Sequence, residues 1–212
     1  MYRNFIFDID GTLIDTEKTG VLSLIGTVHE LMGFEMPYEE AYSYFGIPSS
    51  RVGHILKYRN PDEFGEIWEQ NFIRLSYLIK PFDGVAEVLA AVKEAGCRIG
   101  CVTSRNRFEF NKDIHLRKLL HYFDATVCVE DSVRHKPDPE PAFVFMKRIS
   151  SLTGNEVLPS DCVFIGDTLH DCQCAHGAGC DFALADWFGR GLQGIPAEYH
   201  FRKTEEILTL LK

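Results

Sequence analysis

The stretch that decides the fold is Asn4-Phe5-Ile6-Phe7-Asp8-Ile9-Asp10-Gly11-Thr12-Leu13, near the start of the chain. Three consecutive apolar residues precede its first aspartate, and such a short apolar run is typical of a parallel strand buried on both faces. Two carboxylates, a glycine and a hydroxyl follow at once. The stretch therefore predicts a buried strand whose carboxyl end carries polar side chains, where open parallel sheets bind their ligands.

Four further apolar runs repeat this pattern along the chain. They cover residues 99–102, 127–129, 162–165 and 182–185. Between them, apolar residues recur at helical spacing over 85–92, with Gly96 as a stop signal, and over 142–149, with Asp138 as N-cap and Pro139 at the first helical position. Strands that alternate with helices predict an α/β fold with a doubly wound, Rossmann-like parallel sheet.

Residues 16–80 interrupt this alternation. Apolar stripes at helical spacing occupy 21–32 and 64–79, and the second is preceded by Asn60-Pro61-Asp62-Glu63, which has the form of a capping box. Shorter helices are predicted over 38–45 and 49–58, separated by Gly46-Ile47-Pro48. The pattern predicts a small all-helical cap domain, residues 16–80, inserted after the first strand of a core formed by 1–15 and 81–212.

Composition narrows the classes of function. The 212 residues carry a formal net charge of −9, which disfavours binding to nucleic acid because a phosphate backbone needs a basic surface. No apolar run reaches the roughly 18 residues of a membrane span, and the start lacks the pattern of a signal peptide. Seven cysteines, an odd number, favour reduced thiols in a cytoplasmic protein. The oligomeric state cannot be read from the sequence.

Polar residues follow the other predicted strands as well. Thr103 comes directly after the run at 99–102, and Asp167 follows 162–165 with Asp171 four residues later. A single aspartate at a strand end is commonly a helix N-cap. Several of them, with Asp8, are expected to converge on one edge of the sheet, where their mutual repulsion calls for a hard divalent cation such as Mg²⁺.

Four motifs in order carry a family resemblance. They are Asp8-Ile9-Asp10-Gly11-Thr12-Leu13, Thr103, Lys136 in Lys136-Pro137-Asp138-Pro139, and Gly166-Asp167-Thr168-Leu169-His170-Asp171. On these residues the chain resembles the haloacid dehalogenase superfamily. The helical insert after the first motif is similar to that of its phosphoglycolate phosphatase and β-phosphoglucomutase-like branch. The resemblance implies a phosphatase that acts on a small phosphorylated metabolite.

The resemblance also implies catalytic roles. Asp8 is expected to attack the phosphoryl group and form an aspartyl-phosphate, and Asp10 to protonate the leaving oxygen and then activate water. Mg²⁺ is expected to be held by the Asp8 carboxylate, the Asp10 backbone carbonyl and Asp167, with Asp171 bound directly or through water.

The remaining expected roles concern phosphate and substrate. Lys136 is expected to neutralise charge between nucleophile and phosphate, and Thr103 to hydrogen-bond a phosphate oxygen. Candidate substrate-binding residues are Gly11, Thr12, Ser104 and Arg51. Thr12 is further expected to orient Asp10, and the amides near Ser104 to lie at a helix start. Arg51, in the cap that would set specificity, is equally consistent with a surface arginine. Phosphoglycolate, a sugar phosphate, a nucleoside monophosphate and pyrophosphate all remain open as substrates.

Two other functions compete with hydrolysis. A β-phosphoglucomutase-like isomerase shares Asp10, but that family carries a cap histidine and an arginine where this chain has Gly20 and Ser49, and Arg51 lies two residues further on. A non-catalytic binding or regulatory module would have at least one disabled motif, and all four are intact. Asp10 argues against dehalogenases and phosphonate hydrolases, which lack that carboxylate.

A zinc site is a weaker interpretation. Cys172, Cys174, His176 and Cys180 cluster in sequence, but cysteines two apart on a helix point to different faces. Buried thiols are the preferred interpretation.

Overall fold

The computed structural model describes residues 2–45, 47, 49–189 and 194–211. The chain divides into two compact units, one formed by Met1–Ile14 with Pro81–Lys212 and the other by Asp15–Lys80. It passes between them within two short strands, β2 (Ile14–Asp15) and β3 (Lys80–Pro81). Of the predicted break at 46–48, Gly46 and Pro48 lie outside the described residues.

The first unit is built on a six-stranded parallel sheet in the order β5-β4-β1-β6-β7-β8. Its strands are β1 (Asn4–Phe7), β4 (Arg98–Val102), β5 (Ala125–Val127), β6 (Cys162–Gly166), β7 (Asp181–Ala185) and β8 (Tyr199–Phe201). Strands from later in the chain flank β1 on both sides, so the sheet is doubly wound. The predicted α/β fold class is confirmed.

The register of the central strands brings the polar strand ends together. Phe7, the last residue of β1, lies opposite Cys101 of β4 and Ile165 of β6. Because all three strands run in the same direction, the residues that follow them emerge at one edge of the sheet.

Helices cover both faces of the sheet. They are α5 (Val85–Glu94), α6 (Arg107–Lys112), α7 (Glu140–Thr153) and α8 (Leu169–Ala178), with 3-10 segments at Leu116–Lys118, Leu120–Tyr122, Val129–Asp131, Pro159–Asp161 and Thr204–Leu211. Ile6 packs in one apolar cluster with residues of α7 and α8, whereas its neighbour Phe7 faces Val85 and Leu89 of α5. This alternation is the period of a strand with both faces buried.

The second unit is helical between its terminal strand residues. It contains α1 (Glu17–Met32), α2 (Tyr38–Tyr42), α3 (Ser49–Ile55), α4 (Pro61–Arg74) and the 3-10 segment Ser76–Leu78. Its apolar core joins α1 to α4 through Val21, Leu24 and Phe64.

Neutral hydrogen bonds also join α1 and α4. Trp68 Nε1 donates to Ser23 Oγ at 2.7 Å, and Asn71 Nδ2 donates to Thr27 Oγ1 at 3.1 Å. Thr27 in turn donates to the Ser23 carbonyl at 2.8 Å. Burying these polar groups is tolerated because each is paired.

No helix in the described part of the chain is long and apolar enough to cross a membrane.

Several predicted boundaries were wrong. The strand expected at 127–129 is Ala125–Val127, because Asp131 accepts a hydrogen bond from Cys128 N at 2.8 Å and bends the chain into a 3-10 turn. Helix α7 begins at Glu140 rather than at Pro139. The second long cap helix ends at Arg74, well before 79. The sequence did not predict β8, a three-residue edge strand.

Candidate active site

Lys136 contacts residues at the ends of β1 and β4 and at the start of α8. Its Nζ lies 2.6 Å from Asp8 Oδ1, 2.6 Å from Asp171 Oδ1 and 3.4 Å from the Val102 carbonyl. Asp8 follows β1 and is held there by its own amide, which donates to the Ile165 carbonyl at 2.9 Å. The lysine and both carboxylates are buried, so each charge depends on the others for compensation.

Asp171 is fixed by the start of α8. Thr168 is the N-cap residue of this helix, and its hydroxyl accepts from the Asp171 amide while the Asp171 carboxylate accepts from the Thr168 amide at 3.0 Å. This reciprocal capping box occupies one carboxylate oxygen and leaves the other to Lys136. Asp171 is fully buried, which makes its orientation rigid.

Gly11 is required by the close approach of Asp167. Its φ is +79°, and a Cβ at this position would lie 2.2 Å from Asp167 Oδ2. Thr12 is also buried, and its hydroxyl donates to Asp167 Oδ1 at 3.3 Å. Trp187 Nε1 donates to the Thr12 carbonyl at 2.8 Å. In the loop after β1, Gly11 thus leaves room for the Asp167 carboxylate and Thr12 hydrogen-bonds it.

Asp8, Asp167 and Asp171 form a compact carboxylate cluster. One ligand oxygen from each lies within 4.8 Å of the other two. Burial raises the pKa of Asp8 to about 7, with Lys136 opposing this and the charges of Asp171 and Asp10 adding to it. Burial and the neighbouring charges of Asp171 and Asp8 likewise raise the pKa of Asp167 well above its ordinary value. Burial is therefore the main cause of both shifts, the neighbouring carboxylates add to it, and Lys136 opposes it without cancelling it.

The donor set of this cluster fits a hard divalent cation. Carboxylate oxygens are the ligands that Mg²⁺ prefers, and a cation here would offset the carboxylate charges that add to the effect of burial on the pKa values of Asp8 and Asp167. Burial opposes the charge of Lys136, yet Asp171 and Asp8 outweigh it and raise the pKa of the ammonium group. The lysine therefore stays charged beside the cluster.

Asp10 lies beside the cluster and contacts an arginine that the sequence interpretation missed. Arg105 Nε and Nη2 donate to the two oxygens of Asp10 at 2.8 and 2.7 Å. Arg105 Nη1 donates to Asp113 at 2.7 Å, and the Arg105 amide donates to the hydroxyl of Thr103 at 3.1 Å. The only hint of Arg105 in the sequence is its place two residues after Thr103, which does not reveal the contact with Asp10, and nothing in the sequence marks Asp113.

The other candidate residues occupy less enclosed positions. Ser104 is exposed and lies in a bend, since α6 begins only at Arg107 after the N-cap Asn106. The helix start expected near Ser104 thus lies three residues further on. Arg51 is an exposed residue of α3 in the helical unit.

The cysteines behave as packing residues. Cys174 is part of the apolar core, and Cys172 Sγ donates to the Pro196 carbonyl at 2.9 Å. All seven cysteines are free thiols.

Comparison with known proteins identifies relatives over nearly the whole chain. The model of the haloacid dehalogenase-like hydrolase family matches residues 5–185. The pyrophosphatase PpaX of Bacillus velezensis is 28% identical over 207 residues, which span 96% of this chain and 93% of that protein. A PpaX of Bacillus cereus is 26% identical and spans 97% of this chain and 94% of its own.

Solved structures show the same fold. A candidate phosphoglycolate phosphatase from Lactobacillus plantarum has a TM-score of 0.86 at 24% identity, with 99% of each chain covered. CbbY from Rhodobacter sphaeroides, solved with phosphate, has a TM-score of 0.78 at 19% identity and covers 98% of this chain and 96% of its own. At these identities the likeness concerns the fold alone.

Proposed function

This phosphatase belongs to the haloacid dehalogenase-like hydrolase family, and we propose that it hydrolyses a small phosphomonoester through an aspartyl-phosphate formed on Asp8 with the help of Mg²⁺. The observation that carries the proposal is the buried contact of Lys136 with both Asp8 and Asp171, next to Asp167. A nucleophilic carboxylate, a fixed cation and a cluster of hard oxygen ligands are what phosphoryl transfer to an aspartate requires.

The reaction divides into two displacements. In the first, an Asp8 oxygen bonds to phosphorus as the bond to the leaving oxygen breaks, and Asp10 gives a proton to that oxygen. In the second, Asp10 takes a proton from water, the water oxygen bonds to phosphorus, and the bond to Asp8 breaks. Asp8 is regenerated and inorganic phosphate is released. Lys136 holds positive charge against Asp8 throughout, and the hydroxyl of Thr103 donates to a phosphoryl oxygen.

The proposed metal ligands are the Asp8 carboxylate, the Asp10 carbonyl, Asp167 and Asp171. Mg²⁺ at this position would supply positive charge to the phosphoryl oxygens and to Asp8. Asp171 already uses one oxygen in the capping box and the other with Lys136, which favours contact through water for this residue.

Substrate selection is assigned to the helical unit, residues 16–80, with Arg51 as its candidate anion-binding residue. Gly11, Thr12 and Ser104 complete the proposed substrate contacts from the core. The substrate is proposed to be a small phosphorylated metabolite, and the names of the relatives are the reason to test pyrophosphate and phosphoglycolate first. The net charge of −9 argues against a nucleic-acid partner. Seven free thiols favour a reducing compartment such as the cytoplasm.

The proposal is tested by measuring phosphate release from a panel of phosphorylated compounds, with Mg²⁺ and with a chelator. The panel contains phosphoglycolate, pyrophosphate, sugar phosphates and nucleoside monophosphates. Metal-dependent release that Asp8→Asn abolishes is the expected result. Conversion of β-glucose 1-phosphate to glucose 6-phosphate without phosphate release would establish an isomerase instead, and release that persists in the chelator would exclude the metal.

A further inference from the structure

Arg105 forms a bidentate hydrogen-bonded contact with the carboxylate of Asp10. Nε donates to Oδ2 at 2.8 Å and Nη2 donates to Oδ1 at 2.7 Å, so both oxygens of Asp10 are engaged by one planar group. A paired contact of this kind fixes the direction of a carboxylate as well as its position, which a single hydrogen bond or a lysine does not do.

Arg105 is itself held from the opposite side. Its Nη1 donates to Asp113 Oδ2 at 2.7 Å, and Asp113 Oδ1 accepts from the amides of His115 and Leu116 at 2.8 and 2.9 Å. The Arg105 amide is fixed on the hydroxyl of Thr103 at 3.1 Å. The side chains of Arg105 and Asp113 are 11% and 7% exposed, so water competes little for these contacts. The backbone after α6 thus sets the position of Asp10 through two buried side chains.

The charges in this chain of contacts reinforce one another. Burial opposes the charge of Arg105, but the carboxylates of Asp10 and Asp113 outweigh it and raise the pKa of the guanidinium group. Arg105 therefore stays charged. Removing one member of a buried, paired set leaves another charge uncompensated, so the set is expected to act as a unit.

We propose that Arg105, anchored by Asp113, is a positioning residue that aims the Asp10 carboxyl group at the leaving oxygen of the substrate. This inference rests on the proposed proton-transfer role of Asp10. A group that transfers a proton must lie within hydrogen-bond reach of its target, and a displacement of about 1 Å costs on the order of 10²-fold in rate. The bidentate contact of Arg105 with Asp10 supplies that restraint.

The test compares two substrates that differ in their need for a proton. Phenyl phosphate releases a basic phenolate, which must be protonated as its bond to phosphorus breaks, whereas 2,4-dinitrophenolate leaves without a proton. We would measure kcat/KM, which reports the release of the leaving group, for wild type, Arg105→Lys, Asp113→Asn and Asp10→Asn in the presence of Mg²⁺. Arg107→Lys is the matched control, because Arg107 also pairs with a carboxylate, Asp131, two residues along the same segment.

We expect Arg105→Lys to lower kcat/KM for phenyl phosphate by about 10- to 100-fold and that for 2,4-dinitrophenyl phosphate by less than about threefold. Asp113→Asn should show the same selectivity to a smaller degree, and it carries the test alone if Arg105→Lys does not fold. Arg107→Lys should change both substrates equally. In Asp10→Asn, the added Arg105→Lys change should bring no further selective loss.

Two results would overturn the proposal, and they are distinguishable. If Asp10→Asn is selective for phenyl phosphate while Arg105→Lys and Asp113→Asn reduce both substrates equally, Asp10 keeps its role and Arg105 does not position it. If Asp10→Asn itself reduces both substrates equally, the proton-transfer role of Asp10 is wrong, and the positioning role of Arg105 falls with it.

Discussion

The two units of this protein bury polar groups of different kinds. In the helical unit the paired groups between α1 and α4 are mostly neutral, as in the contacts of Trp68 with Ser23 and Asn71 with Thr27. At the edge of the parallel sheet the buried groups are charged, with Asp8 and Asp171 sharing Lys136. Neutral pairs cost little to bury, whereas charges are costly unless they are paired. The difference indicates that the polar contacts between α1 and α4 serve packing, whereas the charged cluster at the edge of the sheet is suited to chemistry.

The sharpest test of this comparison is removal of the proposed nucleophile, Asp8. Asp8→Asn should lower phosphate release by at least about 10³-fold while the protein stays folded, because the amide cannot form the aspartyl-phosphate. Steady-state assays with Mg²⁺ and circular dichroism measure the two properties. Asp62→Asn, which changes an exposed carboxylate of α4, is the control and should retain activity. Substantial turnover by Asp8→Asn would exclude the covalent route.

Removal of Lys136, the positive charge that Asp8 and Asp171 share, should lower both stability and activity. Lys136→Met leaves Asp8 and Asp171 without their positive partner, so the free energy of unfolding in a chelator should fall by about 3–5 kcal/mol. Urea unfolding measures this change, and phosphate release should fall in parallel. Lys147→Met, an exposed lysine of α7, should leave both unchanged. An equally stable Lys136→Met protein would mean that these charges are not coupled.

The carboxylate cluster should also make metal-free stability depend on pH. The pKa of Asp8 rises from 3.8 to about 7 on folding, so the folded state binds its proton more tightly than the unfolded state. Stability from this group is fully present below about pH 4 and is lost as pH rises to about 7, by roughly 4 kcal/mol in all, of which roughly 3 kcal/mol is lost between pH 5 and 8. Thermal unfolding in a chelator from pH 5 to 8 measures the loss. Adding Mg²⁺ or introducing Asp8→Asn should abolish this loss of stability with rising pH. If the Asp8→Asn protein loses as much stability over this range as wild type, the effect arises from another group.

The smallest effect is expected in the helical unit. Thr27→Val removes the hydroxyl that donates to the Ser23 carbonyl and accepts from Asn71, and should lower the free energy of unfolding by about 1–2 kcal/mol. Thr27→Ser keeps the hydroxyl and should lose less. The value of kcat for phenyl phosphate should stay within about twofold of wild type. A larger loss of kcat would show that this neutral contact also serves the chemistry.

The sequence predicted the parts of the molecule that depend on local pattern. Buried parallel strands are continuous apolar runs, so β1, β4, β6 and β7 were found close to their true bounds. Strand β8 was missed because three residues, one of them a histidine, form no recognisable run.

The site was predictable only where spacing along the chain determines contact. The cluster of Asp8, Asp167 and Asp171 follows from strands that end at one edge. The contact of Arg105 with Asp10 does not follow in this way, because Arg105 lies in the loop after β4 and is held there by Asp113, in the segment after α6. For the same reason the hydroxyl of Thr12, expected to orient Asp10, donates instead to Asp167. Tertiary contacts of this kind leave no periodic signal in a single sequence.

The chain contains two tryptophans, and they lie in different units. Trp187 donates to the carbonyl of Thr12 in the loop beside the carboxylate cluster, whereas Trp68 is hydrogen-bonded inside the helical unit. Each unit therefore contains one tryptophan whose fluorescence can be measured. A Trp68→Phe protein would report on the loop after β1 alone, and a Trp187→Phe protein on the helical unit alone. The protein thus carries one optical label in each unit, with which unfolding of the two units can be followed and the proposed metal binding and phosphorylation of Asp8 can be tested.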